Sequence, residues 1–259
     1  MVTSCGLGLL YPQMPGHIIA VSIIATHMLF AVFISASPMG EATPARGLDW
    51  RHIPSLLRST KVWLLLSTLF LNRVASAPFY GFYTIFVQEN GLSGEVVAWT
   101  WGLAVTTEII MMLVVDRFID RIGTTRMLAF GVCLEAARWF VYAIVQSKTA
   151  LLLLAPWHGL AFTALYVASV RELAELIPAR LRSLGQGLGA AANGLGQVVG
   201  LVIAGYAHQI IGNRGMFLIG GCVGLLACAN ALLLSYLVHR RHDTGRGGSS
   251  TSAGYGSDW

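Results

Sequence analysis

Residues 216–238 read MFLIGGCVGLLACANALLLSYLV, with no charged side chain anywhere in the run. An α-helix rises about 1.5 Å per residue, so about 20 such residues cross the hydrocarbon core of a bilayer. Moving outward from this stretch, the same test picks out 184–211, 150–170, 127–146, 96–115, 62–88 and 17–37. The chain therefore reads as an all-α integral membrane protein of about seven transmembrane helices. Composition agrees, since 55% of the residues are hydrophobic and 11% charged, where a soluble domain carries about a quarter charged residues. Lipid is its main solvent.

Loops rich in Lys and Arg remain in the cytoplasm. Arg46, Arg51, Arg58, Lys61, Arg117, Arg121, Arg126, Arg171, Arg180, Arg182, Arg240, Arg241 and Arg246 fall on one side, and only Lys148 and Arg214 on the other. The N-terminus is expected outside and the C-terminus in the cytoplasm. That asymmetry needs an odd number of crossings, which reaches seven by a second route. The net charge of +5 is thus spent on orientation, and no nucleic-acid partner is expected.

The segment 38–61, with Pro38, Pro44 and Pro54, reads as a cytoplasmic linker, and Trp50, Ile53, Leu56 and Leu57 suit an interfacial position. Residues 239–259 turn to His, Arg, Gly and Ser and read as a disordered cytoplasmic tail, while 1–16 have no clear placement. No basic region followed by a small-residue cleavage site marks a removable signal peptide. Cys133, Cys222 and Cys228 lie in apolar runs and Cys5 stands near the start, so neither a disulfide framework nor a metal-ligand spacing is evident. No cofactor or metal is expected.

Small residues recur every fourth position at Ala192, Gly196, Gly200 and Ala204, and again at Gly185 and Gly189 and at Gly220 and Gly224. Such rows let helix backbones approach closely, and tight packing is their expected role. Ionisable groups at membrane depth are costly unless they face a partner or water. Arg73, Glu108, Glu135, Arg138 and His158 all fall within the apolar runs. Glu135 and Arg138 are three apart and can pair on one helix. Arg73 and Glu108 have no such neighbour and must find partners on other helices or in water. Gln186, Asn193 and Gln197 share one helical face. Aromatic side chains such as Phe79, Tyr80, Tyr83, Trp139 and Trp157 are ascribed to packing and interfacial belts.

At one basic turn the chain reads Asp120-Arg121-Ile122-Gly123-Thr124-Thr125-Arg126. This resembles the D-R-x-G loop motif of major facilitator superfamily transporters, as it recurs in their C-terminal half. The family's Gly four positions before that Asp is Asp116 here. The order Glu108, this turn, Arg138-Trp139, then Trp157-His158-Gly159 is similar to helices eight to ten of lactose-permease-like and phenylpropionate-permease-like symporters. Pro178, Leu181-Arg182 and Gly185-Gln186-Gly187 resemble the cytoplasmic start of helix eleven.

The resemblance covers residues 62–238 and implies a C-terminal six-helix bundle, with 17–37 equivalent to helix six of a full transporter. It implies that Glu108 and Arg138 bind substrate or form the coupling network and that His158 sits in a proton-linked cluster; with Arg73, Glu135 and Asn193, read from the polar positions at membrane depth, they make the expected substrate-binding or coupling set. It also implies a gating loop of Asp116, Asp120, Arg121, Gly123 and Arg126. The lactose-permease-like carboxylate one turn after the His is Ala161 here, so coupling through that position is excluded.

Such transporters place their site between two bundles, and this chain supplies one bundle and one extra helix. A truncated form or partial gene model is expected, or else a second chain that supplies the missing half. The functional expectation is secondary transport of a small polar or aromatic organic solute, linked to protons, with the bilayer and that solute as partners. Glu108→Gln and Arg138→Ala are each expected to abolish uptake in a full-length protein without unfolding it. A seven-helix receptor is the alternative, since Asp116-Arg117-Phe118 imitates a D-R-Y triplet, but no Cys caps the third helix and no N-P-x-x-Y ends the last. A retinal protein would need a Lys in its final helix. No H-E-x-x-H or G-x-S-x-G occurs, and an enzyme is not expected.

Overall fold

In the computed structural model, residues 58–247 are described, with side chains described to 240. The expected helix 17–37 and most of the linker lie outside them. The elements are α1 (Thr60–Glu89), α2 (Gly94–Met112), α3 (Val115–Ile122), α4 (Thr124–Tyr142), α5 (Lys148–Leu176), a 3₁₀ turn (Ala179–Leu181) and α6 (Arg182–Gly247). At 66 residues, α6 would be about 99 Å long if straight, far beyond one bilayer. It is not straight. Its backbone leaves helical geometry at Gly212, with φ 68° and ψ −173°.

The contacts show that the chain reverses there. Before Gly212, Gly196 lies against Phe70 and Arg73, Gly200 against Val74 and Ala77, and Gly205 near Phe82, so this limb runs parallel to α1. After it, Phe217 meets Phe86, Gly220 meets Ala75 and Asn230 reaches Ser67, so the second limb runs antiparallel to α1. A Cβ on Gly196 would sit 2.5 Å from the Phe70 carbonyl oxygen, and one on Gly200 2.5 Å from the Ala77 Cβ. The small-residue row therefore does the packing expected of it.

The remaining segments alternate in direction. Tyr83 and Thr100 share a hydroxyl hydrogen bond of 2.9 Å across the α1–α2 turn. Thr125 pairs with Glu172 and the Trp157 indole donates to the Leu134 carbonyl, which sets α5 antiparallel to α4. Gly221 against Phe140 and Gly224 against Ala136 set the last limb antiparallel to α4. Among the described residues, α1, α4 and the first limb of α6 thus point one way, and α2, α5 and the second limb the other.

By length and composition Thr60–Glu89, Lys148–Leu176 and Ala179–Arg240 are apolar enough to cross a membrane, and α2 with α3 forms a further pair bent by 57°. Large apolar side chains such as Leu153, Ile210, Leu226 and Tyr236 point outward, as a lipid-facing surface requires. The interior has two layers. One is aliphatic, with Leu65, Leu69, Leu128, Leu173, Leu181 and Leu234. The other is aromatic, with Phe79, Tyr83, Phe86, Trp139, Tyr142 and Phe217 in mutual ring contact.

Two features differ from the sequence reading. The last helix continues past Val238 to Gly247, into the stretch read as a disordered tail. Cys133 and Cys228 form a disulfide, 95 residues apart in sequence with Cα atoms 5.1 Å apart, where no disulfide framework was expected. No spacing rule flags them, because only the antiparallel register of α4 and the last limb brings them together. In a Cys5→Ser background, N-ethylmaleimide should modify the exposed Cys222 and nothing else until a reductant is added, when mass spectrometry should count two more adducts. Three adducts without reductant would show that the bridge is not formed.

Candidate functional site

Four helices meet at His158, which is buried. Pro156 lies inside α5 and Pro78 inside α1, and each removes a backbone donor from its helix beside the site. Gly159 sets the distance between α5 and α2, since a Cβ there would lie 2.7 Å from the Ala104 oxygen and from the Glu108 nitrogen. That approach delivers Glu108 to the ring, with Oε1 3.4 Å from His158 Nε2. On the other side, Glu135 Oε1 lies 3.6 Å from His158 Nδ1. The second separation is too long for a hydrogen bond, and Nδ1 has no hydrogen-bond partner. The imidazole therefore stands between two carboxylates from α2 and α4. A neutral ring can donate from only one nitrogen, so a charged ring or a protonated carboxyl is needed for both carboxylates to be satisfied.

Glu135 is held from behind by Arg138, whose Nη2 donates to Oε2 at 2.8 Å. Here the local pairing read from the three-residue spacing is the arrangement seen. The Arg138 side chain is 0% exposed, with its guanidinium carbon 4.1 Å from the Trp139 ring centroid and 4.8 Å from that of Phe79. Its Nε and Nη1 have no hydrogen-bond partner, and the aromatic faces are what attract this cation. Because Arg138 is sealed, its substitution reports on stability before it reports on solute contact.

Arg73 reaches the cluster through an aromatic ring. Its guanidinium carbon is 5.0 Å from the centroid of Tyr80, whose ring lies 6.0 Å from His158. Trp101 and Phe162 complete the surround, at 6.1 Å and 5.7 Å from the imidazole. Arg73 has no carboxylate partner among the described residues. Glu108, only partly covered at 18% exposure, and half-buried Arg73, Tyr80, Trp101 and Phe162 form the accessible rim.

Asn193 donates within its own helix to the Gly189 oxygen at 3.0 Å, and Gln186 reaches the Val170 oxygen. Neither joins the cluster by a hydrogen bond. Sequence reading left Tyr80, Trp101 and Phe162 out of the candidate set. Their signal was the alternation of aromatics with the ionisable positions, which membrane belts also produce.

At the basic turn, Gly123 has φ 92° and ψ 150°, a conformation that favours glycine. Asp116 and Asp120 do not pair with Arg121 or Arg126. Both are held by Arg171 of α5, through Nη2 at 2.8 Å and Nη1 at 3.0 Å. Thr124 donates to Glu175 alongside. Arg171, read from sequence only as an orienting cation, thus ties α3 to α5 on the same face as the D-R-x-G turn.

Residues 2–219 match the MFS_1 like family. A probable 3-phenylpropionic acid transporter of Escherichia coli (strain K12) is 25% identical over 198 residues, covering 76% of this chain and 52% of the relative. The chain spans about half the length of that curated relative. With a family match over most of its length and an all-helical, outwardly apolar bundle around an ionisable cluster, this chain belongs to the MFS_1 like family of the major facilitator superfamily.

Proposed function

We propose that residues 60–240 form a six-helix half of a secondary transporter, and that the accessible rim carries an aromatic carboxylate, coupled to proton movement through Glu108, His158 and Glu135. The observation that carries this reading is the imidazole suspended between two carboxylates, near a cation that has no carboxylate partner among the described residues. A solute carboxylate would take the place opposite Arg73, and its ring would lie against Tyr80 and Trp101. The relative's printed substrate, 3-phenylpropionic acid, has that combination of groups. The reversal at Gly212 and the alternating directions of the segments support a reading of six crossings, and the arginine count supports a cytoplasmic position for the Asp116–Arg126 turn. That turn, through Arg171, acts as the gate on that side.

Sites of this class lie between two bundles, so the second wall comes from a complementary half, on the same polypeptide or on another. The test is uptake of radiolabelled 3-phenylpropionate into proteoliposomes under an imposed proton gradient, with the complementary half present. Glu108→Gln should abolish gradient-driven uptake, because an amide cannot exchange a proton. Arg73→Gln should weaken binding by roughly tenfold or more, the worth of a hydrogen bond to a charged group. Unchanged uptake in both variants would remove the site from consideration.

A further inference from the structure

The bend between α2 and α3 opens a groove of about 590 Å³ whose walls include Met111, Phe118, Met127, Phe130 and Leu160, with Arg117 and Arg121 at its edge. Almost everything else about α3 is already committed. Asp116 and Asp120, one turn apart, face α5 and share Arg171. Arg117 and Arg121 are each one residue further on, and so are turned about 100° around the helix. Both are exposed, and neither has an ion pair or side-chain hydrogen bond among the described residues. Phe118 and Phe130 are also exposed, so the groove opens to the outside of the bundle. Leu113, 78% exposed, with Ile110 and Met112, continues the same greasy surface along α2.

We infer that this groove binds an anionic phospholipid, its acyl chain against Phe118, Phe130 and Leu160 and its phosphate on Arg117 and Arg121. A cation pair at the rim of an apolar channel on a membrane-facing surface matches that ligand in both charge and polarity. A soluble phosphate would use the arginines and leave the groove empty. A zwitterionic lipid would fill the groove but bring its phosphate with a cation of its own, which offsets the attraction of the two arginines. The acidic pair on the same helix does not neutralise the site, because Arg171 holds it on another face.

The test uses the detergent-purified chain and native mass spectrometry, titrating phosphatidylglycerol against phosphatidylcholine with identical acyl chains. The parent should retain phosphatidylglycerol about tenfold more tightly or better, the scale set by two near-surface cations. The double variant Arg117→Gln/Arg121→Gln should bind the two lipids alike, and Arg126→Gln, a neighbouring charge outside the groove, should keep the preference. Either single variant should lose part of it, so the experiment stands even if the double variant does not fold. Free glycerol 3-phosphate should fail to displace the bound lipid. Equal retention of both lipids by the parent, a preference that survives the double variant, or displacement by the soluble headgroup would each overturn the assignment.

Discussion

Arg138→Met should destabilise the bundle by about 3–5 kcal/mol, whereas Glu135→Gln/Arg138→Met together should cost much less. The reason is geometric. Arg138 and Glu135 are 0% and 4% exposed and meet at 2.8 Å. Removing the guanidinium alone strands a carboxylate in a closed interior, with only the His158 ring nearby at 3.6 Å. Removing both charges leaves groups that the aromatic layer of Phe79, Trp139 and Tyr142 can accept. Denaturant or thermal unfolding of the purified chain in one detergent measures the difference. A single variant as stable as the double one would show that the pair is not the closed unit described above, and that water reaches Glu135.

Gly159→Ala should also destabilise the bundle, although it adds one methyl group. That methyl would sit 2.6 Å from the Thr107 Cβ and 2.7 Å from two backbone atoms of α2, neither of which can rotate away. Overpacking of this kind costs about 1–3 kcal/mol, sometimes more. It should also drive Glu108 away from His158, so that any proton-coupled activity falls further than the loss of folded protein explains. Gly187→Ala is the matched control. Nothing lies within 4 Å of the added atom there, and relief of backbone entropy should stabilise that helix by about 0.5–1 kcal/mol. Equal melting temperatures for the two variants would mean that α2 and α5 are not in contact at Gly159.

How much of this was legible beforehand depended on whether the signal was local. Apolar length located the helices, and 62–88, 150–170 and 184–211 fall on segments the structure describes as helical. The row of small residues foretold close packing because a missing side chain acts where it stands. The i, i+3 pairing of Glu135 with Arg138 was readable for the same reason. The partners of Asp116 and Asp120 were not, since Arg171 lies more than fifty positions away and Arg121 and Arg126 were nearer in sequence. The bridge between Cys133 and Cys228 was likewise invisible until helix register was known. The short helix α3 was also missed, because its charges made it read as a turn. It is strongly amphipathic, with Val115 and Ile119 buried and its Asp and Arg pairs outside.

The alternation of segment directions has an electrical consequence. Each helix carries a macrodipole, and with three segments pointing each way these largely cancel across the bundle. A transmembrane voltage therefore finds little purchase on the backbone. It acts instead on whatever net charge sits at Arg73, Glu108 and His158, at about 2.3 kcal/mol per elementary charge moved through 100 mV. If the bundle works in a transport cycle as proposed, the current would depend on the ionisation of that cluster together with the charge of the solute, more than on the tilting of the helices.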